Sequence, residues 1–363
     1  MSLESRKLAV ASSPHVSSPI GTRSLMLDVL IALVPALCIG IWFFGPRALT
    51  MTVVSVLACE IFEYGYRKLL KKTNTCGDLS AAITGVLLAF VCPVTLPYWV
   101  LIIGDFFAIV VVKQLFGGLG KNFLNPALGG RAFLMLCYPI LMTTWVKPGR
   151  ANWAGLLSGT VGMNGAELAT GATPLSVDFM HSHTDAVTGA VLNVLPDASL
   201  MDMFVGNIGG TLGEISALML ILGGIYLVVR GVIRVRVPVA FIATVAVLTF
   251  IFPLGGNDRL AWMAYNVFGG GLMLGAIFMA TDYVTSPATP KGEIIFGIGC
   301  GLLTVFIRYF GGYPEGVSYA ILIMNTCVWL LDKVGKPARF GVTKEMKEKQ
   351  KAAKKAAKEA EAK

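Results

Sequence analysis

Apolar runs long enough to fill a bilayer core recur along the whole chain, parted by short polar stretches rich in Gly, Pro and charge. A hydrocarbon core takes about 20 apolar residues per helix, fewer where a segment is short or broken. On that measure the pattern predicts ten membrane helices, over residues 25–44, 48–66, 79–92, 97–114, 128–146, 211–229, 237–252, 262–281, 292–309 and 315–332. Backbone polar groups in lipid must be satisfied within their own segment, so these are helices and not open strands. The expected fold class is an all-α membrane protein.

One long connection, 147–210, parts the ten helices into five and five. An odd number per half turns the second half upside down relative to the first, so any internal repeat must be an inverted one. Faint echoes agree: "GDLSAAITG" from Gly77 is answered by "TDYVTSPATPKG" from Thr281, and "FGGLGKNFLNPA" from Phe116 by "FGGYPEGVSYA" from Phe310. The expected organisation is a leader (1–24), a first five-helix repeat (25–146), an external loop (147–210), a second five-helix repeat (211–332) and a basic tail (333–363).

Charge sets the orientation. With the N-terminus in the cytoplasm, 24 of the 30 Lys and Arg fall on that side, against 5 on the other (Arg47, Lys147, Arg150, Arg259, Arg308), so both termini are expected in the cytoplasm. The net charge of +9 is mostly the tail's, since residues 333–363 hold 11 basic and 4 acidic residues. Such an Ala/Lys/Glu stretch reads as a solvated, partly helical extension, with anionic lipid contact as the alternative. Nothing in it suggests nucleic-acid recognition, and the polar leader lacks the short apolar core and cleavage site of a signal peptide. Composition is equally distant from a soluble domain: 55% of residues are hydrophobic, 14% are charged and 41 are glycine.

The seven cysteines are scattered and never form CxxC, so neither a disulfide framework nor an iron-sulfur cluster held by this chain alone is expected. His181 and His183 in "HSHTD", with Asp185 close by, lack further converging ligands, so no metal site is expected. Among charges in or near the helices, Asp78, Asp105 and Asp282 stand out, with Lys113, Glu60, Glu63 and Glu214 near helix ends. Asp105, inside "VLIIGDFFAIVVV", is the clearest: a carboxylate in the membrane costs a few kcal/mol and faces the bundle interior or water. Two roles are open to it, a hydrogen bond to a neighbouring helix or a place on a cation or proton path, which Asp78 and Asp282 would share. The segment "KQLFGGLGKNFLNPALGGR" is the most unusual. Gly118, Gly120, Lys121 and Asn122 within it fit either an anion or flavin contact made by backbone N–H groups or close helix packing.

"TGATPL", Thr170 to Leu175, resembles the Ser/Thr-Gly-Ala-Thr flavinylation motif of the NqrB/RnfD family, membrane subunits of the Na+-translocating NADH:quinone reductase and of the Rnf complex. The resemblance runs through nearly the whole chain: "SSPH" (Ser12 to His15), "GDLSAAITG", "GGLGKNFLNPA", "TGATPL", and "TDYVTSPATPKG" followed by "EGVSYAILIMN". It implies a fold like that of urea and ammonium channels, five helices plus five inverted. It also implies FMN bound by a phosphoester to Thr173 beside the small Gly171 and Ala172, installed by an extracytoplasmic flavin transferase. In many flavinylated relatives an Asp stands six residues before that Thr; here Glu167 does. A second phrase, "TDAVTGAVLN" from Thr184, has such an Asp, Asp185, but ends in Val191, which has no hydroxyl to esterify.

The short leader and "TGATPL" favour the Rnf branch of the family over the quinone reductase's B subunit. The implied role is a flavoprotein subunit of an enzyme complex, passing electrons between ferredoxin and NAD+ in a chain coupled to Na+ or H+ export. Its partners would be the iron-sulfur and flavin subunits of the complex, with the inner (cytoplasmic) membrane of a bacterium as its location. Relatives also hold noncovalent riboflavin, for which the sequence assigns no residue, and no catalytic residue is assigned. A non-redox channel or transporter on the same scaffold, or a structural anchor, would explain the glycines and Asp105 but not Thr173 in its motif.

Overall fold

The computed structural model describes residues 21–145, 183–184, 191–192, 199–254, 258–311 and 315–334. α1 (Thr22–Phe44) and α2 (Pro46–Leu69) are parted by one residue, Gly45, at φ 76°. Pro46 then opens α2 at the position where its missing N–H has no cost. After a turn at Cys76–Asp78 comes α3 (Ser80–Phe90), then α4 (Tyr98–Phe106), which runs on as a π-helix over Phe107–Gln114. α5 (Pro126–Cys137) and α6 (Pro139–Met142) close the first half. The second holds α7 (Leu200–Val205), α8 (Ala217–Val229), α9 (Arg236–Ile251) and α10 (Arg259–Phe268), then α11 (Leu272–Leu274), which continues as a π-helix over Gly275–Met279. α12 (Pro290–Phe310), α13 (Val317–Thr326) and α14 (Val328–Leu331) complete it.

The regular structure of the described residues is helical apart from a two-residue antiparallel ladder, which pairs His183 with Leu192 and Thr184 with Val191, and an isolated antiparallel bridge between Pro93 and Thr211. That ladder joins the two ends of "TDAVTGAVLN"; Gly171, Ala172 and Thr173 lie outside the described residues. α1, α2 and α12 are each long and apolar enough to cross a membrane; α10 with α11 and its π-helical continuation reaches that measure only as a pair, bent by 59°, the geometry of a broken span or a re-entrant loop. The burial pattern is that of a membrane protein. Lys113, Glu63, Asp105 and Arg308 are fully buried, while Trp42, Ile61, Leu136, Ile140 and Phe306 lie on the outside.

Several helices are shorter than the hydrophobic pattern predicts, for local reasons. The expected helix over 211–229 begins at Ala217, because Thr211–Ser216 is spent as a turn against the end of α3. There the Gly213 and Leu212 N–H groups donate to the carbonyls of Phe90 (2.8 Å) and Cys92 (3.4 Å), which have no partner within α3. The expected helix over 262–281 breaks between α10 and α11, where Gly270 and Gly271 hold φ near 66° and 67°. The expected helix over 128–146 breaks at Tyr138, ahead of Pro139. Apolar periodicity is blind to all three, since apart from Glu214 the residues in the breaks are apolar, small or aromatic.

Glycines bring helices together: a Cβ at Gly85 would meet Val56 Cα of α2 at 2.8 Å, and one at Gly301 would meet Thr244 Cβ of α9 at 2.6 Å. The halves are joined by polar links as well as packing. Asn125 caps α5 and donates to the Met279 carbonyl at 3.3 Å, and α5 packs on α13, where Arg131 pairs with Glu315.

Candidate functional site

The Gly-rich segment after the first π-helix folds as a tight turn. Gly117, Gly118 and Gly120 take φ of 113°, 90° and 89°, values that suit glycine and strain other residues. At Gly118 space also demands it, since a Cβ there would lie 2.5 Å from an Arg67 guanidinium nitrogen. The turn returns the chain so that Asn125 can accept from the N–H groups of Ala127 and Leu128 and start α5, with Pro126 at its first position. Between turn and cap, Asn122 is buried, donates to the Leu124 carbonyl at 3.0 Å, and has an Oδ1 without a partner.

This turn forms one wall of a cleft with a cavity volume of about 80 Å³, below the roughly 300 Å³ at which small-molecule sites begin. α1 contributes Met26 and Val29, α3 contributes Ser80 and Thr84, and the turn contributes Leu119, Asn122 and Asn125. Phe278 and the Thr281–Val284 segment face them from the second half. The cleft is therefore apolar on several sides, with few polar groups.

Lys113 is the one lysine or arginine among its lining residues. It is fully buried and donates to Glu63 Oε2 and to Ser80 Oγ, each at 2.6 Å. Ser80 donates onward to Asp78 Oδ1 at 2.5 Å, and Thr75 donates to Glu63 Oε1 at 2.6 Å. Arg67, 3.8 Å from Glu63, spans to the Thr73 carbonyl at 2.8 Å. Two acids and two bases thus neutralise one another where the cleft meets α2 and α3, which is what buried charge requires. Asp282, on the opposite wall, accepts from Thr285 Oγ1 at 3.0 Å, and burial raises its carboxyl above the ordinary carboxylate range against that hydrogen bond.

The sequence candidates separate into groups. Asn122, Asp282 and, through Ser80, Asp78 belong to the cleft. Gly118 packs on Arg67 behind it, Gly120 meets nothing within 4 Å, and the exposed Lys121 folds over Gly117 and is not among the lining residues. Asp105 sits elsewhere, between α2 and α4, accepting from Ser55 Oγ at 2.6 Å and Cys59 Sγ at 3.3 Å.

Sequence reasoning passed over Arg308, counting it as an external charge. It is fully buried and donates to the carbonyls of Glu315, Asn266, Gly269 and Gly270 at 2.6 to 3.2 Å, holding open the break between α10 and α11. Its signal was present: an arginine two residues inside the end of an apolar helix, followed by "FGG".

The profile of the NQR2, RnfD, RnfE family matches residues 9–341. The chain belongs to this family. Among relatives, the D subunit of the Na(+)-translocating ferredoxin:NAD(+) oxidoreductase complex of Acetobacterium woodii is 43% identical over 343 residues, covering 94% of this chain and 98% of the relative. The D subunit of the proton-translocating ferredoxin:NAD(+) oxidoreductase complex of Clostridium ljungdahlii is 39% identical, covering 92% and 96%. The D subunit of the ion-translocating oxidoreductase complex of Halorhodospira halophila is 34% identical, covering 92% and 96%. In this NQR2/RnfD/RnfE member, the two segments that face each other across the cleft, "GGLGKNFLNPA" and "TDYV", are among those that carried the resemblance.

Proposed function

We propose that this chain is the membrane flavoprotein subunit of an ion-translocating ferredoxin:NAD+ oxidoreductase, the Rnf complex. The observation that carries the reading is Thr170-Gly-Ala-Thr173 in a chain that aligns nearly end to end with D subunits of that complex. In this reading ten segments cross the bacterial inner membrane as two inverted halves, short helices and bent pairs included. Both termini are cytoplasmic, and Thr173 lies on the outer side, within reach of a flavin transferase. Relatives named for sodium and for proton translocation are 43% and 39% identical, so overall similarity leaves the choice of ion to the residues along the path.

Thr173 supplies the hydroxyl that a phosphoester to FMN requires, and Gly171 and Ala172 leave the approach open. The inner cleft is the candidate seat of a second, noncovalent flavin such as riboflavin and would have to widen to admit the ring: its walls are largely apolar, and Asn125, Lys113 and Asn122, with its unpartnered Oδ1, offer donors and acceptors. Bound flavin supplies transfer of one or two electrons at a time. The chain's own part is to hold it, exclude water and place it in series with redox centres on partner subunits. Asp78, Asp105 and Asp282 are the candidate ion-path carboxyls.

The test is direct. The complex, purified from cells that contain the flavin transferase, is run on a denaturing gel under ultraviolet light, and noncovalent flavin is extracted from a parallel sample with acid. A fluorescent band at this subunit supports the reading. Its absence, with the complex otherwise intact, points instead to a non-redox channel on the same scaffold. Loss of extractable flavin in Asn122→Leu, with the covalent band retained, assigns the cleft; retention of both in that variant removes the assignment.

A further inference from the structure

Ser55, Cys59, Glu63 and Arg67 stand four residues apart on α2, so they share one face of that helix, and all four are buried. Facing them, α4 brings Asp105 and its π-helical continuation brings Lys113, eight residues on. A polar seam therefore runs from the cleft into the helical body. The cleft end is the closed charge network of Glu63 and Lys113. Between the ends lies a small apolar cluster of Cys59, Ala81 and Ile109.

The inner end is built differently. Asp105 is fully buried, both of its donors, Ser55 and Cys59, reach Oδ1, and Oδ2 has no partner. The Ser55 hydroxyl also lies 2.8 Å from the Gly85 carbonyl. That carbonyl is held in place by the tight approach of α3 to α2 at Gly85. The helix changes from α to π just two residues after Asp105, and such changes recur at functional sites.

A hydroxyl has one hydrogen, and Ser55 has two acceptors. With Asp105 ionised, the hydroxyl donates to Oδ1. With the proton on Oδ1, the acid donates to Ser55 Oγ and the hydroxyl turns to the Gly85 carbonyl. The three groups make an unbroken hydrogen-bond chain when Asp105 is protonated, and the hydroxyl leaves the Gly85 carbonyl for the carboxylate when it is ionised; both O···O distances are those of ordinary O–H···O bonds. The separations of 2.6 and 2.8 Å are those of hydrogen bonds, shorter than the roughly 3.4 Å between neighbouring oxygens around a six-coordinate ion with metal–oxygen distances of about 2.4 Å. The fourth group is a thiol, a soft ligand.

On the reading of this chain as an ion-translocating membrane subunit, we propose that Asp105 is a proton-exchanging carboxyl, with Ser55 as the hydroxyl that switches acceptor as the proton comes and goes. The surrounding charges are already engaged. Lys113, on the same element, is paired with Glu63, and Arg131 of α5 is paired with Glu315. α5 packs Leu134 and Gly130 against the residue before Asp105, while the Cys59 and Cys92 thiols lie within electrostatic reach of its carboxyl. Among the described residues, no unpaired positive charge is placed to hold Asp105 permanently ionised.

Dicyclohexylcarbodiimide couples to protonated carboxyls in apolar surroundings. The intact complex is treated with it and the labelled peptides are identified by mass spectrometry. The expected result is an adduct at Asp105 whose yield falls about tenfold or more between the acid and alkaline ends of the complex's stable pH range and is indifferent to sodium. Asp105→Asn removes the adduct. Ser55→Ala shifts the pH at which labelling is lost, with covalent flavin unchanged. Absence of the adduct while other carboxyls of the complex label, or protection by sodium at constant pH, overturns the proposal. A missing flavin band would tell against the proposed function, whereas a present band with no Asp105 adduct tells against this inference alone.

Discussion

Lys113 donates to Glu63 at 2.6 Å across fifty residues of sequence, and both side chains are almost wholly shut away from solvent. Breaking such a pair leaves an uncompensated buried charge, at a cost of about 3 to 5 kcal/mol. Lys113→Met is therefore expected to lower the unfolding temperature of the subunit sharply. The double variant Lys113→Met/Glu63→Leu is expected to regain about half of that loss or more, because replacing both partners removes the orphaned charge. Arg67, freed of its acid, limits the recovery. Thermal unfolding in detergent, arranged as a double-mutant cycle, gives the comparison.

The turn over 117–121 separates strain from crowding. Gly120→Ala meets no neighbour, so only its φ of 89° opposes it, for about 1 to 2 kcal/mol. Gly118→Ala adds the collision with Arg67 to a φ of 90° and is expected to cost clearly more. Equal losses in the two variants would mean that Arg67 moves aside freely. Yields of folded subunit and urea midpoints rank them.

The helices were legible in the apolar runs, because burial in lipid selects on composition over some twenty residues at a time. The breaks were not. Whether Gly270 and Gly271 end a helix depends on Arg308, thirty-eight residues from Gly270, reaching their neighbourhood, and no local pattern carries that information. Likewise the unusual character of "GGLGKNFLNPA" was plain, yet Lys121, its obvious cation, lies exposed while Lys113 lines the cleft. Lys113 ends up there because the π-helix turns it toward Glu63 and Ser80. Asp105 was identifiable as an intramembrane acid; its one-sided partnership with Ser55 and Cys59 was not, since those two share a face of α2 and Asp105 reaches them from another helix only by packing.

Arg308 holds the break between α10 and α11 by donating to four carbonyls. Arg308→Met removes all of those donors, and with each buried acceptor worth about 1 to 3 kcal/mol the subunit is expected to fail to assemble. Arg308→Lys keeps the charge but has fewer donors in a different geometry, so an intermediate loss is expected. Size-exclusion profiles of the two variants provide the check; a Met variant as stable as wild type would remove Arg308 from this role.

Asp282 gives a pH dependence with a definite sign. Burial raises its carboxyl in the folded chain, so folding favours the neutral form. That contribution is fully present below the unfolded value of about 4 and is lost as pH rises through the folded value. Asp282→Asn escapes the loss, so its stability relative to wild type should grow as pH rises from about 4 through the raised folded value and then level off. Unfolding temperatures of both proteins across that range decide it; a difference independent of pH would contradict the burial argument.

Covalent flavin on Thr173 is the feature that separates a redox subunit from a channel on the same scaffold. Thr173→Val and Thr188→Val are made side by side, expressed with the flavin transferase, and run as denatured bands under ultraviolet light. Thr173→Val should be dark while Thr188→Val fluoresces like wild type; a bright Thr173→Val band would show that the flavin is attached somewhere else.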